Sequence, residues 1–513
     1  MDRMLLMRFG SPLPRLSLIA LVLAIPQAQC LVPAHVPLVG EQLLGQGTPF
    51  ETAWFDCRGE EDGPTILITA GMHGNEPAGV AAADAIANWS VGRGRLVVVP
   101  RMNQPALKAG QRLIPGLAEP EGNLNRHFPI GGEVTDGVAA DLWNLFDAVR
   151  PDWVLDIHEG FAFRRINSDS AGSSVISCSE ERSLLLAENM IAAVDETIEE
   201  QERKFTLLKN PVPGSFARAA WENAGVPSMI LETTFGRFLQ TDGESRRYSI
   251  SYRARQHRVM VHAFLTELGM EPSDRHTLID PRVVGDRVRV AIYDDLGAGV
   301  GNSKDLERVL AEYDRVATRR VCSLDVNDGV LSQFDVVVHP GGSGSGQARS
   351  LGESGRAREV DFIREGGGYL GVCAGGYLAA CNYDWSLSIL DARTIDTKNG
   401  HWRRGRAQLE IELTGVGQEF FGVGTPRVDV KYANGPIFAP GEREEIPDFE
   451  VLAVYRGEVA ENGTSKGVMP GTPALIRGPF GRGRAVAFSP HPEDSESIQH
   501  FIRDAVLWAS GRN

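Results

Sequence analysis

Two separated groups of residues in this chain have the types and spacing to do chemistry. In the first, His73 and Glu76 stand three residues apart in Gly71-Met72-His73-Gly74-Asn75-Glu76-Pro77. At a turn from strand to helix, such a pair can converge on one cation. A catalytic Zn²⁺ takes three protein ligands and keeps a fourth position open, so one more His or carboxylate is required downstream. His158, closing the apolar run 153–157 (WVLDI), meets that requirement. Asp156, two residues earlier and on the same side of a strand, is placed to orient an imidazole from behind. Glu232 closes the short apolar run 228–231 (SMIL). A carboxylate there must be paired, functional or turned into a cleft, and a hydrolytic metal centre needs such a general base. Between the ligands lies Gly122-Asn123-Leu124-Asn125-Arg126-His127-Phe128-Pro129, with Arg112 upstream. Its guanidinium groups suit a carboxylate.

The second group is built around Cys373 in the segment 366–378 (GGGYLGVCAGGYL). Glycines on both sides of one cysteine let a chain turn sharply from strand to helix and present the sulfur above a sheet. The free amides of a helix start favour negative charge on that sulfur. His491 and Glu493 follow a strand-like run at 486–490 and stand two residues apart. Cys373, His491 and Glu493 therefore have the makings of a nucleophile, a base and its orienter.

These residues need strands that end where they stand. Residues 65–70 (TILITA), 153–157 and 228–231 read as buried strands, and an alanine-rich helix follows Pro77. Residues 266–287 are polar and aperiodic with Pro272, Pro281 and Gly285, which reads as a linker. A new unit begins with a strand at 288–293 (VRVAIY), a glycine-rich loop at 294–301, and a helix at 303–313 with Leu306, Val309 and Leu310 on one face. A strand at 334–339 opens into Pro340-Gly341-Gly342, and 361–364 lie in a helix returning to the sheet. Alternating strands and helices predict an α/β fold in two domains, 31–270 and 288–513, joined by 271–287.

A length of 513 residues demands at least two cores. With 42% hydrophobic and 23% charged residues, the chain fits neither a disordered nor a fibrous class. Fifty-two Lys and Arg against 67 Asp and Glu leave a net charge of −15, which argues against nucleic acid as a partner. Residues 1–30 carry Arg3, Arg8 and Arg15, then an apolar run at 16–25, then small and polar residues, the order of a cleaved signal peptide. The run is too short to span a bilayer, and Gln27 and Gln29 ahead of Cys30 argue against a lipoprotein anchor. Export to the periplasm or the exterior is expected. Processing at Cys30 leaves Cys57, Cys178, Cys322, Cys373 and Cys381. A Cys57–Cys178 bridge is permitted, as are singly buried thiols.

GxHGNEP, NLNRHFP, a strand ending in DIH and a later ILET together resemble the zinc carboxypeptidase superfamily, in particular its succinylglutamate desuccinylase and aspartoacylase branch, over about residues 50 to 265. The resemblance implies an α/β/α sandwich with a mixed sheet. It also implies one Zn²⁺ held by His73, Glu76 and His158, with Glu232 activating water and protonating the leaving amine. By the same resemblance Asn125 and Arg126 grip a substrate carboxylate and Arg112 polarises the scissile carbonyl. Asn123 departs from the family's usual acid, which loosens the expected orientation of Arg126. No tyrosine precedes Tyr248, so the lid tyrosine of digestive carboxypeptidases is missing from its usual stretch. About 50 residues separate Glu232 from the next domain, little room for a capping β domain, and an open groove favours peptides. Phe161 and Phe163 suggest an apolar wall beside the metal.

GVCAGG with a terminal HPE is similar to the class I glutamine amidotransferase-like superfamily, and most like the amidotransferase-like domain at the amino end of some biotin-protein ligases, over about residues 288 to 510. That likeness implies a flavodoxin-like α/β domain, with Gly341 and Gly342 amides as oxyanion donors. No nucleotide-binding loop or synthase segment accompanies it. The leading expectation is a zinc-dependent hydrolase of an amide bond beside a free carboxylate, a metallocarboxypeptidase acting on small peptides, with a second Cys-His-Glu site. The competing readings are a zinc deacylase of N-acyl amino acids and a ligand-binding scaffold whose sites are relics.

Overall fold

The computed structural model describes residues 42–135, 137–235, 240–241, 244–245, 248–279 and 284–512; the expected signal segment lies outside them. The first sheet has eight strands, β1 (Gln42–Leu44), β2 (Thr52–Arg58), β3 (Glu61–Ala70), β4 (Arg93–Val99), β5 (Trp153–Gly160), β6 (Ser174–Ser177), β7 (Thr206–Lys209) and β8 (Ser228–Thr234). Their order is β1-β2-β4-β3-β5-β8-β6-β7. The central strands β4, β3, β5 and β8 are parallel neighbours, while β2 joins β4 and β6 joins β8 antiparallel. A strand buried on both faces reads as an unbroken apolar run, and β3 divides its side chains accordingly. Ile66 and Ile68 join a core with helices α1 (Pro77–Ile86) and α2 (Ile250–Glu267), whereas Leu67 packs on the other face with Phe146 and Phe216. Helices thus cover both faces of a mixed sheet, the expected sandwich.

The second sheet has nine strands, β9 (Val288–Tyr293), β10 (Val316–Val321), β11 (Val336–His339), β12 (Gly368–Val372), β13 (Arg406–Leu413), β14 (Arg427–Ala433), β15 (Glu450–Tyr455), β16 (Pro473–Phe480) and β17 (Gly483–Phe488). They run β10-β9-β11-β12-β17-β16-β15-β13-β14. The first five are parallel neighbours in the doubly wound order 2-1-3-4 followed by β17, as in flavodoxin-like folds. The other four extend this sheet antiparallel. Its two faces again bury separate cores, Val290 and Ile292 on one and Ala291 and Tyr293 on the other.

Two expectations change. Strands β5 and β8 do not stop at Ile157 and Leu231 but run on to Gly160 and Thr234. Their pairing continues through His158 with Glu232, Glu159 with Thr233, and Gly160 with Thr234. Backbone pairing between distant segments carries polar residues into a strand that local hydrophobicity would have ended. The bridge that spacing permitted is not formed: Cys57 and Cys178 are buried and neither belongs to a disulfide.

The segment 271–287 is packed rather than loose over its described part. Trp89 Nε1 donates to Thr277 O at 3.0 Å, Leu278 N donates to Gln333 Oε1 at 2.8 Å, and Leu278 and Ile279 share a core with Ala85 and Val337. Helix α2 ties the two sheets more firmly. Arg255 pairs with Asp328 at 2.7 Å, Arg258 with Asp325 at 2.6 Å, and Ser251 Oγ donates to Asp294 Oδ2 at 2.9 Å. Asp325 and Arg258 are both buried, and removing one partner of a buried pair strands the other charge. Asp325→Ala is therefore expected to destabilise the first unfolding transition by about 3–5 kcal/mol. Chemical denaturation checks this; an unchanged midpoint would show that the pair contributes nothing net.

Candidate active site

The turn that carries His73 and Glu76 leaves the carboxyl end of β3 and enters α1. Gly74 is required there because a Cβ would collide with the Ala106 carbonyl. The parallel neighbour β5 brings in His158, and β8 places Glu232 directly beside it. Ligand atoms of His73, Glu76 and His158 all lie within 4.8 Å of one another, and all three residues are buried. Glu76 sits between the imidazoles, with Oε1 2.7 Å from His73 Nδ1 and Oε2 2.9 Å from His158 Nδ1.

The far nitrogens are held from behind. His158 Nε2 lies 2.8 Å from Asp156 Oδ2, and His73 Nε2 lies 3.0 Å from Asn123 Oδ1. Thr69 Oγ1 anchors Asp156 by donating to its Oδ1 at 2.7 Å. In the tautomer that binds a metal, each Nε2–H donates to the oxygen behind it and each Nδ1 lone pair opens on the Glu76 side. That is how metal-binding imidazoles are oriented, and the donor set of two imidazoles and a carboxylate suits zinc. The residues fit the ion.

The electrostatics agree. Burial works against charge on Glu76, but His73 and His158 outweigh it and hold the carboxyl well below the usual range. Burial likewise opposes a charged His158, yet Asp156 and Glu76 raise it well above an ordinary histidine. Glu232 is pushed up to about 8, chiefly by burial, with His158 pulling the other way and Glu76 adding to the rise. Its Oε2 is buried with no hydrogen-bond partner among the described residues.

The arginines flank this centre. Arg112 Nη1 donates to Glu76 Oε1 at 3.1 Å from a half-exposed side chain. Arg126 Nη1 donates to Asn125 O at 2.7 Å, and its guanidinium makes no ion pair among the described residues. Burial, with Arg112 nearby, lowers its pKa. Asn125 has partners within the protein. It is buried, its Nδ2 donates to Asp156 Oδ2 at 3.3 Å and lies 3.0 Å from His158 Nε2, and its Oδ1 accepts from Phe216 N at 2.9 Å. Those contacts place the Asn125 side chain behind the imidazole of His158. Of the aromatic pair, Phe163 is buried against Tyr248 and only Phe161 is exposed.

Three further residues escape a reading of motifs. Asn123, seen in sequence only as a departure, backs His73. Glu159, just after His158, accepts from Ala78 N at 2.7 Å and pairs with buried Arg253 of α2. Thr233, just after Glu232, sits 3.0 Å from His257 Nε2 on the same helix. Arg253 and His257 are four residues apart and share a helix face, a spacing visible in sequence only once the helix is known to be buried.

At the second group Cys373 adopts φ 51 at the start of helix α3 (Ala374–Ala379), the strained turn the flanking glycines predict. Its Sγ donates to Ala433 O at 3.4 Å. His491 Nδ1 lies 2.7 Å from Glu493 Oε1, and its Nε2 is buried with no partner among the described residues. Burial disfavours a charged His491, but Glu493 and Cys373 outweigh it and raise the ring well above an ordinary histidine. A Cβ on Gly341 would stand 3.6 Å from Cys373 Cβ and 2.6 Å from His491 Cε1, so Gly341 closes the same corner.

Comparison with known proteins supports both resemblances. Residues 62–234 match the succinylglutamate desuccinylase/aspartoacylase catalytic domain, and residues 290–398 match the biotin-protein ligase N-terminal domain. The second match includes Cys373 and stops before His491 and Glu493. A stretch of 108 residues is 41% identical to the N-alpha-acetyl-L-2,4-diaminobutyric acid deacetylase of Halomonas elongata, covering 20% of this chain and 30% of that protein. A stretch of 60 residues is 35% identical to the biotin–protein ligase of Schizosaccharomyces pombe, covering 12% of this chain and 10% of that protein. The chain thus spans less than a third of the curated relatives it matches. Among solved structures, apo cell shape determinant protein Csd4 from Helicobacter pylori aligns with a TM-score of 0.37 at 18% identity, over 47% of this chain and 65% of that one.

Proposed function

We propose that the first domain, residues 31–270, is a zinc-dependent hydrolase of an amide bond next to a free carboxylate, acting on small peptides as a carboxypeptidase. The observation that carries this reading is the buried His73–Glu76–His158 cluster with Glu232 beside it, whose Oε2 has no hydrogen-bond partner among the described residues. When bound, zinc acidifies water and polarises a carbonyl. Glu232 takes the proton from the attacking water and returns it to the leaving amine. Arg126 holds the substrate carboxylate and so fixes which bond lies at the centre, while Arg112 reaches toward the carbonyl oxygen. Asp156, Asn123 and Asn125 keep the imidazoles in place through the cycle. A second reading, deacylation of an N-acyl amino acid, is favoured by the 41% identity to a deacetylase. Metal-loaded protein offered peptides and N-acyl amino acids side by side decides between them: preferential cleavage of the acyl amino acids would replace the first reading with the second.

In the second domain, residues 288–513, Cys373, His491 and Glu493 are proposed to act as nucleophile, base and orienter. The order of basic, apolar and small residues at the amino terminus supports export. Among the described residues no helix is long and apolar enough to cross a membrane.

Zinc affinity is expected to depend on pH with a definite sign. Metal-free His158 is held protonated by Asp156 and Glu76, and an imidazole must lose its proton to ligate. The apparent affinity should therefore rise with pH across neutrality, by up to about tenfold per unit for each proton displaced. Competition against a chromophoric chelator measures it; an affinity flat between pH 6 and pH 8 would contradict the ligand assignment.

A further inference from the structure

Asn302 enters the corner of Cys373 and His491, although no motif points to it. The position that a Cβ on Gly341 would take lies 2.7 Å from Asn302 Nδ2, 2.6 Å from His491 Cε1 and 3.6 Å from Cys373 Cβ. Only a bare α-carbon at 341 lets the amide, the imidazole and the thiol-bearing carbon converge so closely. Backbone bonds fix Asn302 in that place. Gly299 N donates to Gly341 O at 2.8 Å and Ser343 N donates to Gly297 O at 2.8 Å, so the glycine-rich loop 294–301 is tied down on both sides of Gly342. Asn302 N donates to Gly299 O at 3.1 Å. Gly299 also leaves room for the side chain, since a Cβ there would stand 2.7 Å from Asn302 Nδ2. Buried Ser303 donates from Oγ to Tyr293 O at 2.9 Å, which fastens the helix Asn302–Ala311 to the end of β9.

The side chain itself is uncommitted. Asparagine at a helix start ordinarily bonds the nearby backbone. Asn302, the first residue of its helix, makes no side-chain hydrogen bond among the described residues. The N–H groups of Gly341 and Gly342, expected as oxyanion donors, likewise donate to no group among them. A half-buried amide donor without a partner, set beside a thiol and an imidazole, suits an oxygen that becomes negative during reaction.

Resting on the reading of Cys373, His491 and Glu493 as an active triad, we propose that Asn302 is a further catalytic residue of the second site. Its Nδ2–H donates to the carbonyl oxygen of an amide substrate as that oxygen turns negative. In the reaction, Sγ bonds to the carbonyl carbon and the thiol proton moves to His491 Nε2. The electron pair of the carbonyl shifts onto its oxygen, where Asn302 and the Gly341 amide meet it. Return of that pair breaks the carbon–nitrogen bond, and His491 passes the proton to the departing amine. Water then cleaves the thioester, releasing a carboxylic acid and restoring the thiol. The contact is strongest while the oxygen is charged, so it speeds the chemical step more than it tightens substrate binding.

Two reagents that meet the same thiol isolate this role. p-Nitrophenyl acetate acetylates a thiol through a tetrahedral oxyanion and sheds nitrophenolate, whereas iodoacetamide alkylates it by displacing iodide and forms no oxyanion. Each cysteine of the full-length protein is followed by mass spectrometry. Asn302→Leu keeps the shape of the side chain and removes its donor. It should slow acetylation of Cys373 by about 10²-fold, the low end for one lost oxyanion donor, and leave the alkylation rate of Cys373 unchanged. Asn302→Ala should do the same. Unchanged acetylation in both variants would overturn the role of Asn302 and leave the triad standing. Equal slowing of both reactions would place the effect of Asn302 on the thiol rather than the carbonyl oxygen, and the assignment would fall. In the wild-type protein both reagents should label Cys373 faster than Cys381; no preference for Cys373 would remove the triad reading and the role of Asn302 with it.

Discussion

Glu232→Gln is expected to lower kcat by about 10²–10⁴-fold, the range for loss of a general acid–base, while the protein still binds one equivalent of zinc. The substitution keeps the size of the side chain and removes only its ability to carry a proton. Glu232 is not among the three clustered ligand residues, its Oε2 has no hydrogen-bond partner among the described residues, and burial has already raised its affinity for a proton. Nothing in the fold depends on its charge, so stability should be unchanged or slightly improved. The pair of readouts separates roles: lost activity with retained zinc marks a proton carrier, whereas lost zinc would make Glu232 a ligand and require a different base.

His73→Ala and His158→Ala should each abolish stoichiometric zinc binding and take all measurable hydrolysis with it. Either change removes one of three donors from a cluster whose ligand atoms lie within 4.8 Å of one another. It also takes away one of the three groups, His73, His158 and Arg112, that surround the buried Glu76 carboxylate. The remaining carboxylate should then rise toward an ordinary pKa or destabilise the domain, because an unpaired buried charge is costly. Metal analysis of the purified variants after dialysis is the check, and one equivalent of zinc in either would contradict the assignment. Asn123→Ala offers a graded comparison, since losing the oxygen behind His73 should weaken zinc by about 10–100-fold without abolishing it.

The chemistry was legible where it depended on local spacing. His73 and Glu76 share one turn, Cys373 sits in a glycine-flanked elbow, and His491 and Glu493 stand two residues apart, so each short segment announces its geometry. The strands leading to these residues were legible too, because parallel strands buried on both faces appear as apolar runs such as 65–70 and 288–293. What stayed hidden depended on distant partners. The extension of β5 and β8 past His158 and Glu232 follows from their mutual pairing, which no local pattern reports. Helix α2 looks like a solvated helix because it carries Arg253, Arg255 and Arg258, yet all three are buried against carboxylates that lie elsewhere in the chain, among them Glu159, Asp325 and Asp328. Asn125 looked like a substrate ligand in its motif, and only the folded contacts with Asp156 and Phe216 show that its side chain is engaged behind the imidazole.

The central claim is that the first domain hydrolyses an amide at a zinc site with Glu232 as its proton carrier. The most direct test is mass spectrometry of a mixed pool of peptides and N-acyl amino acids after incubation with zinc-loaded full-length protein and with its Glu232→Gln variant. The expected result is a free amino acid released by the wild-type protein and not by the variant. Equal product from both proteins, or none from wild-type protein carrying one equivalent of zinc, would contradict it.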